Sequence, residues 1–159
     1  MRGIMSAESL KAELESMIGT EVYVGSWLAI TQERINLFAQ ATEDYQWIHV
    51  DPERAKRESP FGTTIAHGYL TLSLLPYLSG YVNPEEPIFP EAKWVVNYGM
   101  NRMRFPHPVK VGDRVRVRTV PQAVEEVPGG LQIISQMTIE IEGEEKPGCV
   151  ADVVYRIYF

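Results

Sequence analysis

The chain has 159 residues, of which 45% are hydrophobic and 23% charged, the composition of one globular domain able to bury its own core. A formal charge of −6 argues against a nucleic-acid platform, which needs a basic face, but not against a local basic patch for an anionic ligand. Cys149 is the one cysteine, so an intramolecular disulfide is excluded, as is a zinc site with more than one thiolate.

The sequence shows no recognisable targeting or membrane-spanning segment. The first residues lack the apolar segment of a signal peptide, and no stretch approaches the roughly 20 apolar residues of a membrane span. We therefore expect a cytoplasmic protein without a membrane partner. Cys149 begins a strand-like run, so a packed free thiol is favoured over a nucleophile.

The first part of the chain predicts helices with identifiable starts. Helical spacing over 6–18 follows Ser6, a possible N-cap, and alternation over 21–29 suits a first strand. Asp51 and Pro52 start a short polar helix that ends near Glu58. Between these elements, Thr31 is a good N-cap for a helix with a buried stripe made of Ile35, Phe38, Ala39 and Thr42.

The second part of the chain predicts one apolar helix and then four strands. The helix begins at Gly68, is apolar on nearly every side and is therefore expected to be buried all round, with Pro76 kinking or ending it. Period-two alternation then predicts four consecutive strands. The residues that share one face of each strand are Trp94, Val96, Tyr98 and Met100; Val115, Val117 and Thr119; every second residue from Leu131 to Ile141; and every second residue from Ala151 to Phe159.

This order of elements predicts an α+β fold in a single domain over 1–159, with 1–18 as an N-terminal helical extension. A curled antiparallel sheet wrapped around one buried helix accommodates all of the elements. Such a sheet has exposed edges that can pair with a second copy, so we expect a homodimer.

An acid and a base occur close together in the run from Glu43 to His49, which has the pattern of neither helix nor strand. Asp44 and His49 stand five positions apart, and Ala66-His67-Gly68-Tyr69 follows, where a loop turns into the apolar helix. An acid, a base and a helix N-terminus are the parts of a site that adds or removes water beside a carbonyl. Alternatively, Asp44 caps the preceding helix and His49 is a packed histidine, which is the commoner role of such a pair.

Three segments stand out in order along the chain: Asp44-Tyr45-Gln46-Trp47-Ile48-His49, Phe61 to Tyr69, and Phe105 to Asp113. Together they resemble the MaoC-like, (R)-specific enoyl-CoA hydratase family, and the similarity runs from about Gly19 to the C-terminus. The resemblance implies the hot-dog fold and the syn addition of water to a trans-2-enoyl-CoA, giving an (R)-3-hydroxyacyl-CoA. The coenzyme A thioester is then the substrate, and no cofactor is expected.

By residue-level match, the resemblance implies that Asp44 and His49 hold and activate the water and that the Gly68 N–H binds the thioester oxygen. It gives Ser73 a supporting role, although a serine there can also bond back to the Tyr69 carbonyl. For His67, fixing the turn into the helix is favoured over catalysis.

The sequence departs from the family pattern Gly-Asp-x-Asn-Pro-x-His at three positions. Glu43 replaces the glycine, Gln46 the asparagine and Trp47 the proline, while Tyr69 replaces a common methionine. The resulting form resembles the nodulation-protein-N-like branch. The acid and base are retained, so the reaction class is little affected, but Gln46 joins the supporting residues and the substrate becomes less defined.

Other ligand sites have weaker support. His49, His67 and His107 lie in unrelated segments without an acidic cluster, so no metal site is expected. Arg102, Arg104 and Lys110 are candidates for binding the phosphates of coenzyme A, and a solvated strand face explains them equally well.

Two other functions compete with hydration. A hot-dog thioesterase often carries a carboxylate on its central helix, and residues 64–81 contain no Asp or Glu. A non-catalytic acyl-CoA binding module would bind thioesters without turnover, against which the intact Asp44 and His49 pair argues modestly.

Overall fold

The computed structural model of the protein describes residues 7–159, so Ser6, the expected cap of the first helix, lies outside the described residues. The helices in this range are α1 (Ala7–Ser16), α2 (Gln32–Thr42), α3 (Trp47–Val50), α4 (Pro52–Glu58), α5 (Gly68–Ser73) and α6 (Leu75–Leu78). The strands are β1 (Tyr23–Val24), β2 (Leu28–Ala29), β3 (Trp94–Arg104), β4 (Arg114–Val127), β5 (Gly130–Ile141) and β6 (Cys149–Tyr158).

The strands form one antiparallel sheet in the order β1-β4-β5-β6-β3, and β2 also pairs with β4. A tight turn at Gly129, with φ of 78°, joins β4 to β5. The chain crosses from one edge to the other before β3, which pairs only with β6 in the described part of the chain. The expected α+β architecture with four consecutive long strands is therefore confirmed.

The two faces of the sheet follow the predicted alternation. On β4, Val115 and Val117 are fully buried against the helices, and Arg116 and Arg118 point to the outer face. Both arginines donate to Glu140 at 2.6 Å, and Arg116 also lies over the Trp27 ring. The basic residues of β4 are thus already paired on the outer face. The core-facing residues predicted on β5 are likewise buried.

The apolar helix covers the inner face of the sheet with only one of its sides. Leu70 and Leu75 are buried there, but Tyr69 is 66% exposed and Tyr77 is 62% exposed. The prediction of burial all round is therefore wrong for a single chain, because the open sheet wraps one side of the helix and leaves the other uncovered. Pro76 acts as predicted: α5 ends before it, and α6 begins with it in the first turn.

Two predicted helix starts are confirmed by their side chains. Thr31 accepts a hydrogen bond from the Arg34 N–H at 3.2 Å, and Asp51 accepts one from the Arg54 N–H at 2.9 Å. Such caps satisfy backbone donors that have no partner inside the helix. Thr42 departs from the predicted buried stripe of α2 because it lies exposed in the last turn.

Two further expectations concern β1, β2 and the cysteine. The single strand predicted over 21–29 is interrupted, since two short strands flank Gly25, whose backbone lies against Leu78. The expectation of a packed thiol is confirmed, because Cys149 is fully buried and burial raises its pKa to about 11. None of the helices in residues 7–159 is long and apolar enough to cross a membrane.

Glu43, the residue after α2, adopts a left-handed conformation. Its φ is 61°, the only positive φ of a non-glycine residue in the described part of the chain. Glycine is usual at this position after a helix because a Cβ in the left-handed region costs roughly 1–2 kcal/mol. This conformation turns the chain out of α2 and directly into Asp44.

We predict that Glu43→Gly stabilises the protein by about 0.5–1 kcal/mol, because the relief of left-handed strain exceeds the entropy that glycine adds to the unfolded chain. The measurement is urea unfolding, with a higher midpoint at an unchanged slope. Glu43→Ala is the matched control, since it removes the carboxylate but keeps the strain, and should show no such gain. A lower midpoint for the glycine variant would contradict the assignment of strain.

Candidate active site

The segment after α2 carries the acid and the base on a short, ordered path. Asp44 is exposed directly after Glu43, and His49 lies in the single helical turn α3, where it is 8% exposed. The sequence predicted neither helix nor strand here, and α3 corrects that prediction. A turn of four residues is too short to leave a periodic pattern in the sequence.

His49 is held by the strand-like segment that precedes α5. Its Nδ1 lies 2.7 Å from the carbonyl oxygen of Ile65, and the Ile65 N–H donates to the Ile48 carbonyl at 3.0 Å. A carbonyl only accepts, so Nδ1 must carry the proton in this contact. Neutral His49 therefore keeps a lone pair on Nε2, the nitrogen a general base requires.

The surroundings of His49 favour the neutral ring. Burial is the largest influence and lowers its pKa below the ordinary value of 6.5, and the neighbouring His67 also lowers it. The hydrogen bond to Ile65 and the charge of Asp44 act in the opposite direction without reversing the shift. His49 is thus poised as a base at neutral pH.

His67 ties the two segments of the site together. Its Nε2 donates to the backbone carbonyl of Asp44 at 2.9 Å, and its ring stacks on His49 with centroids 3.8 Å apart. Phe38 covers it from α2 at 5.0 Å. His67 is 2% exposed and its Nδ1 has no hydrogen-bond partner. These contacts agree with the structural function favoured for His67, and they extend it to orienting Asp44 and His49.

The structure brings Asp44, His49 and His67 together, with one carboxylate oxygen and one nitrogen of each ring within 4.8 Å of one another. The sequence did not predict that His49 and His67 would meet, so their separation along the chain does not argue against a metal. However, imidazole lone pairs lie in the ring plane, and the two rings are only 27° from parallel. They therefore point side by side instead of at one ion. The expectation of no metal stays a prediction.

Gly68 stands at the wall of a pocket of about 270 Å³, which His49 and Phe105 also line. As the first residue of α5, Gly68 has an N–H without an acceptor inside the helix. A Cβ at this position would lie 2.8 Å from the Phe105 ring, so glycine is needed for the close approach of that ring. The pocket thus has a base and a free backbone donor on its wall.

The remaining predicted residues differ in how near they lie to this pocket. Ser73 is exposed at the far end of α5 and donates to the Tyr69 carbonyl at 2.5 Å, which is the alternative considered for it. Gln46 is exposed beside Asp44, whose carboxylate its own N–H contacts at 3.4 Å. Trp47 packs under the Arg54 guanidinium at 4.4 Å and so joins α3 to α4.

The basic candidates do not line the pocket in a single chain. Arg102 and Arg104 flank Met103, which packs against the core, so both arginines lie on the outer face of β3 near Asp152. Lys110 pairs with Ile65 through the backbone, next to the site. Binding of coenzyme A phosphates by these residues stays a prediction.

Gln32 and Thr64 support the site, although no pattern in the sequence indicates them. The Gln32 side chain donates to the His49 carbonyl at 2.7 Å and accepts from the fully buried Thr64 hydroxyl. Gln32 lies 17 residues before His49, and neither residue forms part of a motif. Only the packing of α2 against α3 reveals the contact.

A family model and several relatives match this chain over most of its length. A family model described as "MaoC like domain" matches residues 13–139. The chain is 48% identical to 3-hydroxyacyl-thioester dehydratase Z of Mycobacterium tuberculosis over 91% of this chain and 93% of that protein. It is 43% identical to Nodulation protein N of Rhizobium leguminosarum bv. viciae, over 93% and 91% of the two chains.

The solved structures agree on the fold. The (R)-hydratase from A. caviae involved in PHA biosynthesis superposes with a TM-score of 0.65 at 25% identity, over 84% of this chain and 96% of that one. Structures of this group have the hot-dog fold, so the expected hot-dog architecture is confirmed.

We predict that Gln32→Ala destabilises the protein by about 1–3 kcal/mol, because the buried Thr64 hydroxyl and the His49 carbonyl both lose their partner. Unfolding in urea measures the change. Asn36→Ala is the matched control, since Asn36 is the exposed partner of the same amide at 2.9 Å and should change stability little. Equal midpoints for Gln32→Ala and wild type would show that Gln32 does not support the site.

Proposed function

The chain belongs to the MaoC-like domain family, and on that premise we propose that it hydrates trans-2-enoyl-CoA to (R)-3-hydroxyacyl-CoA in a reversible reaction. Membership supports the coarser statement directly: the protein is a hydratase or dehydratase of acyl thioesters. The finer assignment to an (R)-specific enoyl-CoA hydratase is our proposal. It is supported by the names of a dehydratase relative and an (R)-hydratase structural neighbour.

One observation carries the proposal: the Asp44 carboxylate, the imidazole of His49 and that of His67 converge beside the pocket that contains the Gly68 N–H. A water held by Asp44 and the Nε2 of His49 can be deprotonated there, since His49 already donates through Nδ1. Such acid–base assistance typically contributes about 10²–10⁴ in rate. The carboxylate of Asp44 orients the water and stabilises the imidazolium that forms.

The proposed reaction is balanced in protons. The water oxygen adds to C3 of the enoyl group while its proton passes to His49, and the electron pair of the double bond moves toward the thioester oxygen. The Gly68 N–H donates to that oxygen while it carries enolate charge; loss of one such donor elsewhere costs roughly 3–4 kcal/mol. The protonated His49 then returns that proton to C2 from the same side as the enolate collapses, which restores the neutral ring and completes syn hydration.

His67 is proposed as a positioning residue. It orients Asp44 through the backbone carbonyl, and its ring stacks on His49 with centroids 3.8 Å apart, so it restrains both proposed catalytic residues.

We also propose that a homodimer forms through β3 and the uncovered side of α5, and that it works in the cytoplasm. β3 is an edge strand whose exposed apolar residues include Trp94 and Tyr98, each 57% exposed. Tyr69 and Tyr77 on the helices are also exposed. Edge strands with apolar side chains are covered in native proteins, and a second copy provides a matching surface.

We predict that Asp44→Asn and His49→Gln each lower kcat for crotonyl-CoA hydration by at least about 10²-fold, because each removes one partner of the water. The assay follows the loss of enone absorbance together with free thiol, so that hydration, hydrolysis and mere binding are separated. Glu142→Gln is the matched control and should keep kcat, because Glu142 is an exposed carboxylate that pairs with Arg114 at 3.0 Å and does not line the pocket.

The hydration proposal would fail if wild type released thiol, or if it bound crotonyl-CoA without turnover. Near-normal turnover by either variant would instead show that the roles of Asp44 and His49 are wrong. A melting curve for each variant establishes that the loss is not due to unfolding.

A further inference from the structure

The proposed function puts the thioester carbonyl beside Gly68, and the structure continues from there along the helix. A second pocket, of about 320 Å³, lies along the C-terminal half of α5, between Ser73 and Leu75 on one side and Met100 on the other. Because an α-helix rises about 1.5 Å per residue, Ser73 lies about 8 Å along α5 from Gly68, whose N–H is proposed to bind the thioester oxygen. An acyl chain extending along α5 leads into it.

Two stacked tyrosines close the inner end of this pocket. Tyr155 lines it and is 3% exposed, and the Tyr81 ring stacks on Tyr155 with centroids 4.3 Å apart and planes 14° from parallel. Tyr81 also meets Phe89 edge to face. Tyr81 comes from the segment after α6, so it contacts both apolar clusters of the core.

A separate cavity lies behind Tyr81. It has a volume of about 320 Å³ and is walled by Leu14 of α1 and by Ile133 and Ser135 of β5. The cavity is open to solvent at its rim, where Val22 is 42% exposed, while Ile133 and Ser135 on its inner wall are buried. It is large enough to take the apolar end of an acyl chain.

The chemistry of the cavity selects a neutral, apolar occupant. Its charged side chains, Glu13 and Glu91, are half-buried in its wall, and both are acidic. They disfavour entry of a fatty-acid carboxylate or of the phosphates of coenzyme A. A chain arriving from the pocket beside Tyr155 brings no charge with it.

We infer that this cavity receives the distal end of long acyl chains and that Tyr81 is the gate between it and the pocket along α5. The inference rests on the proposed function for the position of the thioester. With Tyr81 stacked on Tyr155, the site holds short chains. When Tyr81 turns away, the two spaces join and a long chain extends beneath α1.

The test compares crotonyl-CoA with trans-2-dodecenoyl-CoA in Tyr81→Ala, Tyr81→Phe and wild type. Tyr81→Ala should raise the ratio of kcat/KM for the long substrate over the short one by at least 10-fold. Tyr81→Phe keeps the ring and should keep the wild-type ratio. Leu37→Ala, at a position 59% exposed on α2, is the control for unspecific effects. An unchanged or lower ratio in Tyr81→Ala would overturn the inference.

A second variant fills the cavity instead of opening it. Ser135→Leu should lower the same ratio at least five-fold, and it keeps the test decisive if Tyr81→Ala does not fold. Calorimetric binding of butanoyl-CoA and dodecanoyl-CoA, which need no turnover, separates the two proposals. If wild type does not hydrate crotonyl-CoA, the proposed function fails. If it does, but Ser135→Leu weakens neither dodecanoyl-CoA binding nor the ratio, the cavity inference fails.

Discussion

Two hydrogen bonds to backbone carbonyls determine which ring nitrogen carries the proton in His49 and in His67, the pair on which the site depends. The Ile65 carbonyl accepts a hydrogen bond from the Nδ1–H of His49, and the Asp44 carbonyl accepts one from the Nε2–H of His67. Each bond joins the acid–base segment to the segment that enters α5. The tautomers, the stacking of the rings and the position of Asp44 beside His67 all follow from this mutual attachment.

The sheet provides the rigid support that such an attachment requires. β4, β5 and β6 bury their aliphatic side chains against one side of α5 and α6, which fixes Gly68 at the start of the helix. The other side of α5 is left open beside the edge strand β3. The same asymmetry explains why a chain with an ordinary apolar content exposes so many aromatic residues along one surface.

Patterns that depend on neighbours in the sequence were predicted well. The caps at Thr31 and Asp51, the alternation of β4 to β6 and the break at Pro76 arise from local backbone chemistry. Asp44 and His49 could be singled out because a family resemblance supplied what spacing alone left open, and their catalytic roles stay a prediction.

Contacts between distant segments could not be predicted in the same way. Gln32 reaches His49 across 17 residues, and His67 stacks on His49 through the fold alone. The exposed side of α5 was missed because an apolar sequence does not show whether the sheet or a second chain covers it. Arg102 and Arg104 lie on the outer face of β3, beyond irregularities that shift its register, and their binding of coenzyme A phosphates stays a prediction.

The proposed reaction requires that His49 is a neutral base with its proton on Nδ1. A pH titration of the protein followed by ¹⁵N NMR of the imidazole nitrogens measures this directly. We expect protonated Nδ1 and unprotonated Nε2 at pH 7, and a midpoint below 6.5 because burial lowers the pKa of His49. A proton on Nε2 at pH 7, or a midpoint above 6.5, would contradict the proposed role of His49 as the base.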